Sequence, residues 1–115
     1  IDDDKGLLQL LSQRLSRQGY ITLMAETGER GLALARDQSP DLILLDVILP
    51  GIKGREVCVR LKEDQLTQDI PVIFLTVKDT PDDIAAEIAA GAVAHITKPV
   101  DFRRLTAEIK KYIRN

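Results

Sequence analysis

Apolar positions alternate along this chain between helical spacing and short unbroken runs. Leu7, Leu8, Leu11 and Leu15 fall on one face of a helix that Gly19 stops. Tyr20 to Met24 is a short β-prone run. Thr27 is placed to cap a second helix, which runs through Leu32 and Ala35 to about Gln38 and breaks at Ser39-Pro40. Leu42 to Leu45 is a continuous apolar run, the pattern of a strand buried on both faces. It ends on Asp46, and Pro50, Gly51 and Gly54 then turn the chain. Gly54 opens a third helix with Val57, Cys58 and Leu61 on its apolar face, followed by a polar loop from Asp64 to Asp69. Pro71 to Leu75 is a second unbroken strand, ending at Thr76. Pro81 suits the first turn of a fourth helix, whose expected buried side is Ile84, Ile88 and Ala89, and Gly91 ends it. Val93 to Thr97 predicts a last strand, closed by Lys98-Pro99. Asp101 caps a fifth helix with Phe102, Leu105, Ile109 and Ile113 inward.

Strands that alternate with helices predict a parallel sheet with helices on both faces. A helix starting near Lys5 in such a fold needs a strand before it, and a strand takes about five residues. Only Ile1 precedes the acids Asp2, Asp3 and Asp4, so the chain is expected to lack most of its first strand.

Composition narrows the class. The 115 residues suit one domain, 44% hydrophobic and 30% charged, with an aliphatic core because aromatics are only 3%. A net charge of −2 offers no basic stripe for direct nucleic-acid binding. Cys58 is the single cysteine, which excludes an internal disulfide and fits a reducing compartment. No apolar run reaches membrane-spanning length and no segment has the pattern of a signal peptide, so the cytoplasm is the expected location.

The strand ends collect the chemistry. In a parallel sheet the carboxyl ends share one edge, where open α/β sheets place ligands. The acidic pair Asp2-Asp3, then Asp46, Thr76 and Lys98 all fall there. Three carboxylates repel unless a cation intervenes. Hard oxygen donors suit Mg²⁺, and one such ion with the Lys98 ammonium brings the cluster close to neutrality.

These residues in this order resemble the receiver domain of two-component response regulators. The match rests on Asp2-Asp3, on Asp46 within Leu-Asp-Val-Ile-Leu-Pro-Gly-Ile-Lys-Gly, on Thr76, and on Lys98-Pro99. Any one of these motifs is weak, whereas all four in sequence are specific. The resemblance covers essentially the whole chain, 1–115. It implies a flavodoxin-like three-layer α/β sandwich, with five helices and a five-stranded parallel sheet of order 2-1-3-4-5. It also implies that Asp46 accepts a phosphoryl group from a phosphohistidine on a sensor histidine kinase or phosphotransfer protein. Asp3, Asp46 and the backbone carbonyl of Ile48 would bind Mg²⁺ directly, with Asp2 helping through a water. Lys98 would pair with phosphoryl oxygens, a role implying a cis Lys98-Pro99 bond. Thr76 and His95 would form the switch that alters the surface of helix 4, strand 5 and helix 5. An output domain or effector protein, and a phosphorylation-linked dimer, belong to the same expectation. The domain would catalyse only its own phosphorylation and slow dephosphorylation.

The sequence also departs from the family pattern. Val77 follows Thr76 where a small residue is common, and His95 stands where Tyr or Phe is common. His95 is the only histidine, which argues against an internal histidine phosphorelay and adds a pH-sensing reading of the switch position. Val93, Ala94 and Glu108 occupy places where many DNA-binding relatives carry dimer-pairing charges. Two rival readings fit less well. A Mg²⁺-dependent phosphohydrolase usually carries a second Asp two residues on as general acid, and Ile48 cannot move a proton. A phosphorylation-independent, receiver-like interaction module predicts loss of a site residue, and none is lost.

Overall fold

Helix starts follow the side chains that can accept from the first unpaired amides. The structure is a computed structural model and describes residues 1–113. Its elements are α1 (Lys5–Arg17), α2 (Gly28–Gln38), β1 (Ile43–Leu45), α3 (Gly54–Glu63), β2 (Val72–Thr76), α4 (Pro81–Ala89), β3 (Ala94–Thr97) and α5 (Phe102–Tyr112). Asp4 caps α1 through the Leu7 N–H at 3.1 Å, and Thr27 caps α2 through the Arg30 N–H at 3.1 Å. Thr80 and Asp83 form a reciprocal capping box at α4, with Pro81 just inside. Asp101 accepts from the amides of Arg103 and Arg104. Helix α3 has no side-chain cap. Its first amide, on Gly54, donates instead to the Val47 carbonyl at 2.9 Å, which fastens α3 to the chain leaving β1.

The three strands are parallel and ordered β1-β2-β3, with Leu45 opposite Phe74, Phe74 opposite His95, and Thr76 opposite Thr97. All five residues of β2 are buried, as a central strand covered on both faces requires. The alternation of side chains divides the core. Val72 and Phe74 join Leu45, Val57, Cys58 and Leu61 on the side of α2 and α3. Ile73 and Leu75 join Leu11, Leu15, Leu105 and Ile109 on the side of α1 and α5. This is a parallel sheet with helices on both faces, as the pattern predicts, and the three-layer, flavodoxin-like α/β arrangement with five helices that the resemblance implies. The last two positions of the expected domain span, 1–115, lie outside the described residues.

Two expectations need correction. The segment Tyr20–Met24 is extended but forms no strand. A strand needs a neighbour's amides and carbonyls, and here one bond reaches the segment's end, from the Asp2 N–H to the Ala25 carbonyl at 3.0 Å. On its other side Ile1 pairs with β1: its nitrogen donates to Leu44 O at 2.7 Å, and the Asp46 N–H donates to Ile1 O at 3.0 Å. Ile1 therefore sits between the extended segment and β1, where the expected order puts it. The sheet proper has three strands among the described residues, not five. The second correction concerns α4. Its buried residue is Glu87, 0% exposed, while Ile88 is 50% exposed and Ala89 is exposed. Pro81 and the capping box set where the helix begins, and Glu87 tolerates burial because His95 meets it from β3.

Candidate functional site: an acidic cluster at the carboxyl edge of the sheet

Strand polarity assembles the site. Asp46 follows β1, Thr76 ends β2, and Lys98 follows β3, so all three emerge on one edge. The pairing of Ile1 with β1 delivers Asp2 and Asp3 beside them. Carboxylate oxygens of Asp2, Asp3 and Asp46 lie within 4.8 Å of one another. Asp2 and Asp46 are buried, whereas Asp3 faces solvent.

Lys98 threads this cluster. Its Nζ donates to Asp2 Oδ2 at 2.6 Å and to Asp46 Oδ2 at 2.9 Å. Burial alone would lower its pKa, but the hydrogen bonds it donates to Asp2 and Asp46, and their charges, outweigh that and hold the ammonium's pKa above the ordinary lysine value. The Lys98 N–H donates to Thr76 O at 2.9 Å, which fixes the ends of β2 and β3 together. The Lys98-Pro99 bond is cis. Asp46 Oδ1 accepts from the Ile48 N–H at 3.1 Å, and Asp2 Oδ1 from the Asp4 N–H at 2.9 Å. Asp2 and Asp46 thus each have both carboxylate oxygens engaged, as burial of charge demands.

Thr76 is fully buried, and its Oγ1 accepts from the Lys78 N–H at 3.2 Å. Ile48 is 44% exposed, and Lys78 is exposed. His95 stands apart from the carboxylates, on β3, bonded to Glu87 and Thr97. The structure therefore brings Asp2, Asp3, Asp46 and Lys98 together, places Thr76 at the adjoining strand end, and sets His95 on the strand behind.

Several supporting residues escaped the sequence reading. A Cβ on Gly54 would lie 1.9 Å from the Asp46 carbonyl oxygen, so only glycine lets α3 start against the Asp46 backbone. The Lys-Gly pair signalled a turn but not this approach. Glu29 Oε1 accepts the Ile52 N–H at 3.3 Å and braces the loop after Asp46. Its own amide and that of Ile52 hold its carboxyl below the usual range. Arg55 pairs with Asp83 at 3.0 Å and ties α3 to α4, a contact between segments distant in sequence.

Chemically, three carboxylates and one ammonium leave two negative charges in a small volume. Oxygen donors of that charge fit a hard divalent cation. The neutral thiol of Cys58 takes no part: it is buried and its pKa is pushed up to about 11 by desolvation. No helix among the described residues is long and apolar enough to cross a membrane.

Comparison with known proteins gives this geometry its context. The response regulator receiver domain model matches residues 1–110. The transcriptional regulatory protein AfsQ1 of Streptomyces coelicolor is 42% identical over 99% of this chain and 49% of its own length. The phosphate regulon transcriptional regulatory protein PhoB of Pseudomonas aeruginosa is 41% identical over 99% of this chain and 50% of its own length. The chain thus spans about half the length of these curated relatives. Among solved structures, a CheY-like receiver domain protein from Methanospirillum hungatei superposes with a TM-score of 0.89 at 32% identity, covering 96% of this chain and 86% of that one. The BeF₃-activated receiver domain of Klebsiella pneumoniae RstA superposes with a TM-score of 0.90 at 25% identity, covering 99% and 95%. With the acidic cluster and lysine on the carboxyl edge of a parallel sheet, and this match along almost the whole sequence, the chain belongs to the response regulator receiver domain family.

Proposed function

We propose that this domain is a phosphorylation-dependent signalling switch in which Asp46 accepts a phosphoryl group from a phosphohistidine of a sensor histidine kinase or phosphotransfer protein. The observation that carries the reading is the placement of Asp46, buried at the strand end, with Oδ2 at 2.9 Å from the Lys98 ammonium and two further carboxylates alongside. In the transfer an Asp46 oxygen attacks phosphorus in line. A new P–O bond forms, the P–N bond of the donor breaks, and its electron pair leaves with the imidazole nitrogen. The protein's contribution is positioning and charge stabilisation. Lys98 exchanges a carboxylate partner for a phosphoryl oxygen and remains charged throughout. Thr76 ends the strand beside β1 and turns to donate its hydroxyl to another phosphoryl oxygen.

Asp2, Asp3 and Asp46, with the Ile48 carbonyl, would hold Mg²⁺. The charge of the cluster fits this ion, which supplies neutralisation of the transferring group when bound. Asp2 accepts directly from Lys98 here, so its share in metal binding is through a water or by releasing that contact.

Once Thr76 turns toward the phosphoryl group, space opens behind β2 and the His95 ring moves inward to fill it. The altered surface is that of α4, β3 and α5. Two states a few kcal/mol apart suffice for such a switch. AfsQ1 and PhoB are transcriptional regulators, so an output domain or effector protein reading this surface is part of the proposal, as is a cytoplasmic setting.

Incubation with acetyl phosphate and excess Mg²⁺, followed by intact mass, tests the reading. The parent gains one phosphoryl group and does not turn over phosphate esters. An unmodified parent would support a phosphorylation-independent interaction module instead, and ester turnover a phosphohydrolase.

A further inference from the structure

Helix α4 buries a carboxylate where its sequence offers isoleucine. Glu87 is fully buried, with Oε1 at 2.5 Å from His95 Nδ1, and Oε2 has no hydrogen-bond partner among the described residues. The other ring nitrogen, Nε2, lies 3.1 Å from Thr97 Oγ1. His95 and Thr97 are two residues apart on β3 and so share a face of the sheet. Thr97 is the register partner of Thr76, and His95 that of Phe74. A row of polar groups therefore runs from the α4 carboxylate through the imidazole and the Thr97 hydroxyl to the strand end that carries Thr76.

We propose that Glu87 is a positioning residue for the switch. It holds the His95 ring against Thr97 in the unphosphorylated protein, and so sets how strongly the resting state is favoured before a phosphoryl group arrives. This rests on the reading of Asp46 as phosphoacceptor and adds two residues which that reading does not use, Glu87 and Thr97.

Burial supplies the physical reason. A carboxylate removed from water is tolerated only with partners, and His95 is the one side chain that bonds Glu87 among the described residues. If the ring turns inward alone, both Glu87 oxygens are left buried and unpaired. Among the described residues no arginine or lysine bonds Glu87: Arg55 pairs with Asp83, and Arg104 of α5 donates to the His95 backbone carbonyl at 3.3 Å. Moving His95 thus obliges Glu87 to move, and α4, which carries it, must respond. That links a ring rotation inside the sheet to the outer helix. Removing one partner of a buried pair costs stability because it strands the other. Leucine at 87 takes away the one side-chain acceptor of His95 Nδ1, and in a folded variant the ring is then free to turn.

The test uses this chain with ¹⁵N labelling and begins with the parent, free and after acetyl phosphate with Mg²⁺. In free Glu87→Leu, the amides of Thr76, His95 and Thr97 are expected to move toward their phosphorylated parental positions, and acetyl-phosphate labelling to quicken by about threefold or more. Glu87→Gln keeps an oxygen acceptor for a ring N–H and should stay near the parental resting positions. Folded Glu87→Leu with parental positions and labelling rate would overturn the proposal. If that variant does not fold, the imidazole nitrogens of the parent decide. Both should change on phosphorylation as Glu87 and Thr97 let go, and unchanged nitrogens in a protein labelled at Asp46 would overturn the proposal while leaving the phosphoacceptor reading intact. A parent that takes no label removes that reading. The free-state ring nitrogens of parent and Glu87→Leu then still show whether Glu87 holds the ring: differing values support the hold, and identical values overturn it.

Discussion

Two acid–base contacts sit on the same parallel sheet and differ in their surroundings. At the carboxyl edge Lys98 divides its ammonium between Asp2 and Asp46, while Asp3 stands exposed beside them. Over β3, Glu87 meets His95 one to one, sealed from solvent. The edge has more acid than base and an open side, so it favours an incoming cation and allows Lys98 to change partners. The pair over β3 matches one carboxylate with one imidazole and has no opening, so it holds a geometry. Charge stoichiometry and access, more than the presence of an ion pair, separate a reactive cluster from a retaining one.

The comparison can be broken most severely at Asp46. Asp46→Asn should lose acetyl-phosphate labelling completely, because an amide is a poor nucleophile, while the same change at Asp83 or Asp101 leaves it intact; intact mass reads the difference. Lys98→Met comes next. Removing one charge-stabilising donor from such a site lowers the labelling rate on the order of a hundredfold. Asp3→Asn removes an exposed carboxylate of the cluster, and Mg²⁺ titration should show affinity weaker by roughly tenfold. A loss as large at Asp4, which caps α1, would erase the distinction between cluster and cap.

Proton linkage sharpens the same contrast. Folding holds the Lys98 pKa above its ordinary 10.5. The stability this contributes is fully present below 10.5, the unfolded value, and is lost as pH rises through the raised folded value. Urea unfolding of the parent and of Lys98→Met should therefore show a gap that is constant at neutral pH and narrows in that alkaline window. A gap that stays constant throughout would mean the contacts with Asp2 and Asp46 are not ionic.

The smallest effect concerns the lifetime of the phosphorylated state. Ile48 lines the loop after Asp46, and Lys78 follows Thr76 by two residues. An apolar side chain cannot hold a hydrolytic water, and a cation can lie over the phosphoryl group. Ile48→Asn and Lys78→Glu should each shorten the lifetime a few-fold, about 1 kcal/mol of barrier. Both side chains are solvent-exposed, so parental decay rates in both variants would show that they do not shield the acyl phosphate.

The edge was legible because strand ends are marked in sequence: an apolar run stops and a polar residue begins, as at Leu45-Asp46 and Leu75-Thr76. Parallel pairing then brings such ends together without further information. The retaining pair was not legible. Helical periodicity assigns the inward side to Ile84 and Ile88, and a glutamate enters a core only when a partner from another element is there to meet it. Tyr20–Met24 failed for a related reason, since β-prone side chains do not make a ladder without a neighbouring backbone. Gly54 was visible as a turn residue, but its contact with the Asp46 carbonyl depends on where α3 docks.

The most direct test of the account is to locate the phosphoryl group. The parent is labelled with acetyl phosphate and Mg²⁺, reduced with borohydride to convert an acyl phosphate to an alcohol, and mapped by peptide mass. The account predicts one modified position, Asp46, with Asp2 and Asp3 untouched. Modification at another carboxylate, with Asp46 unchanged, would contradict it.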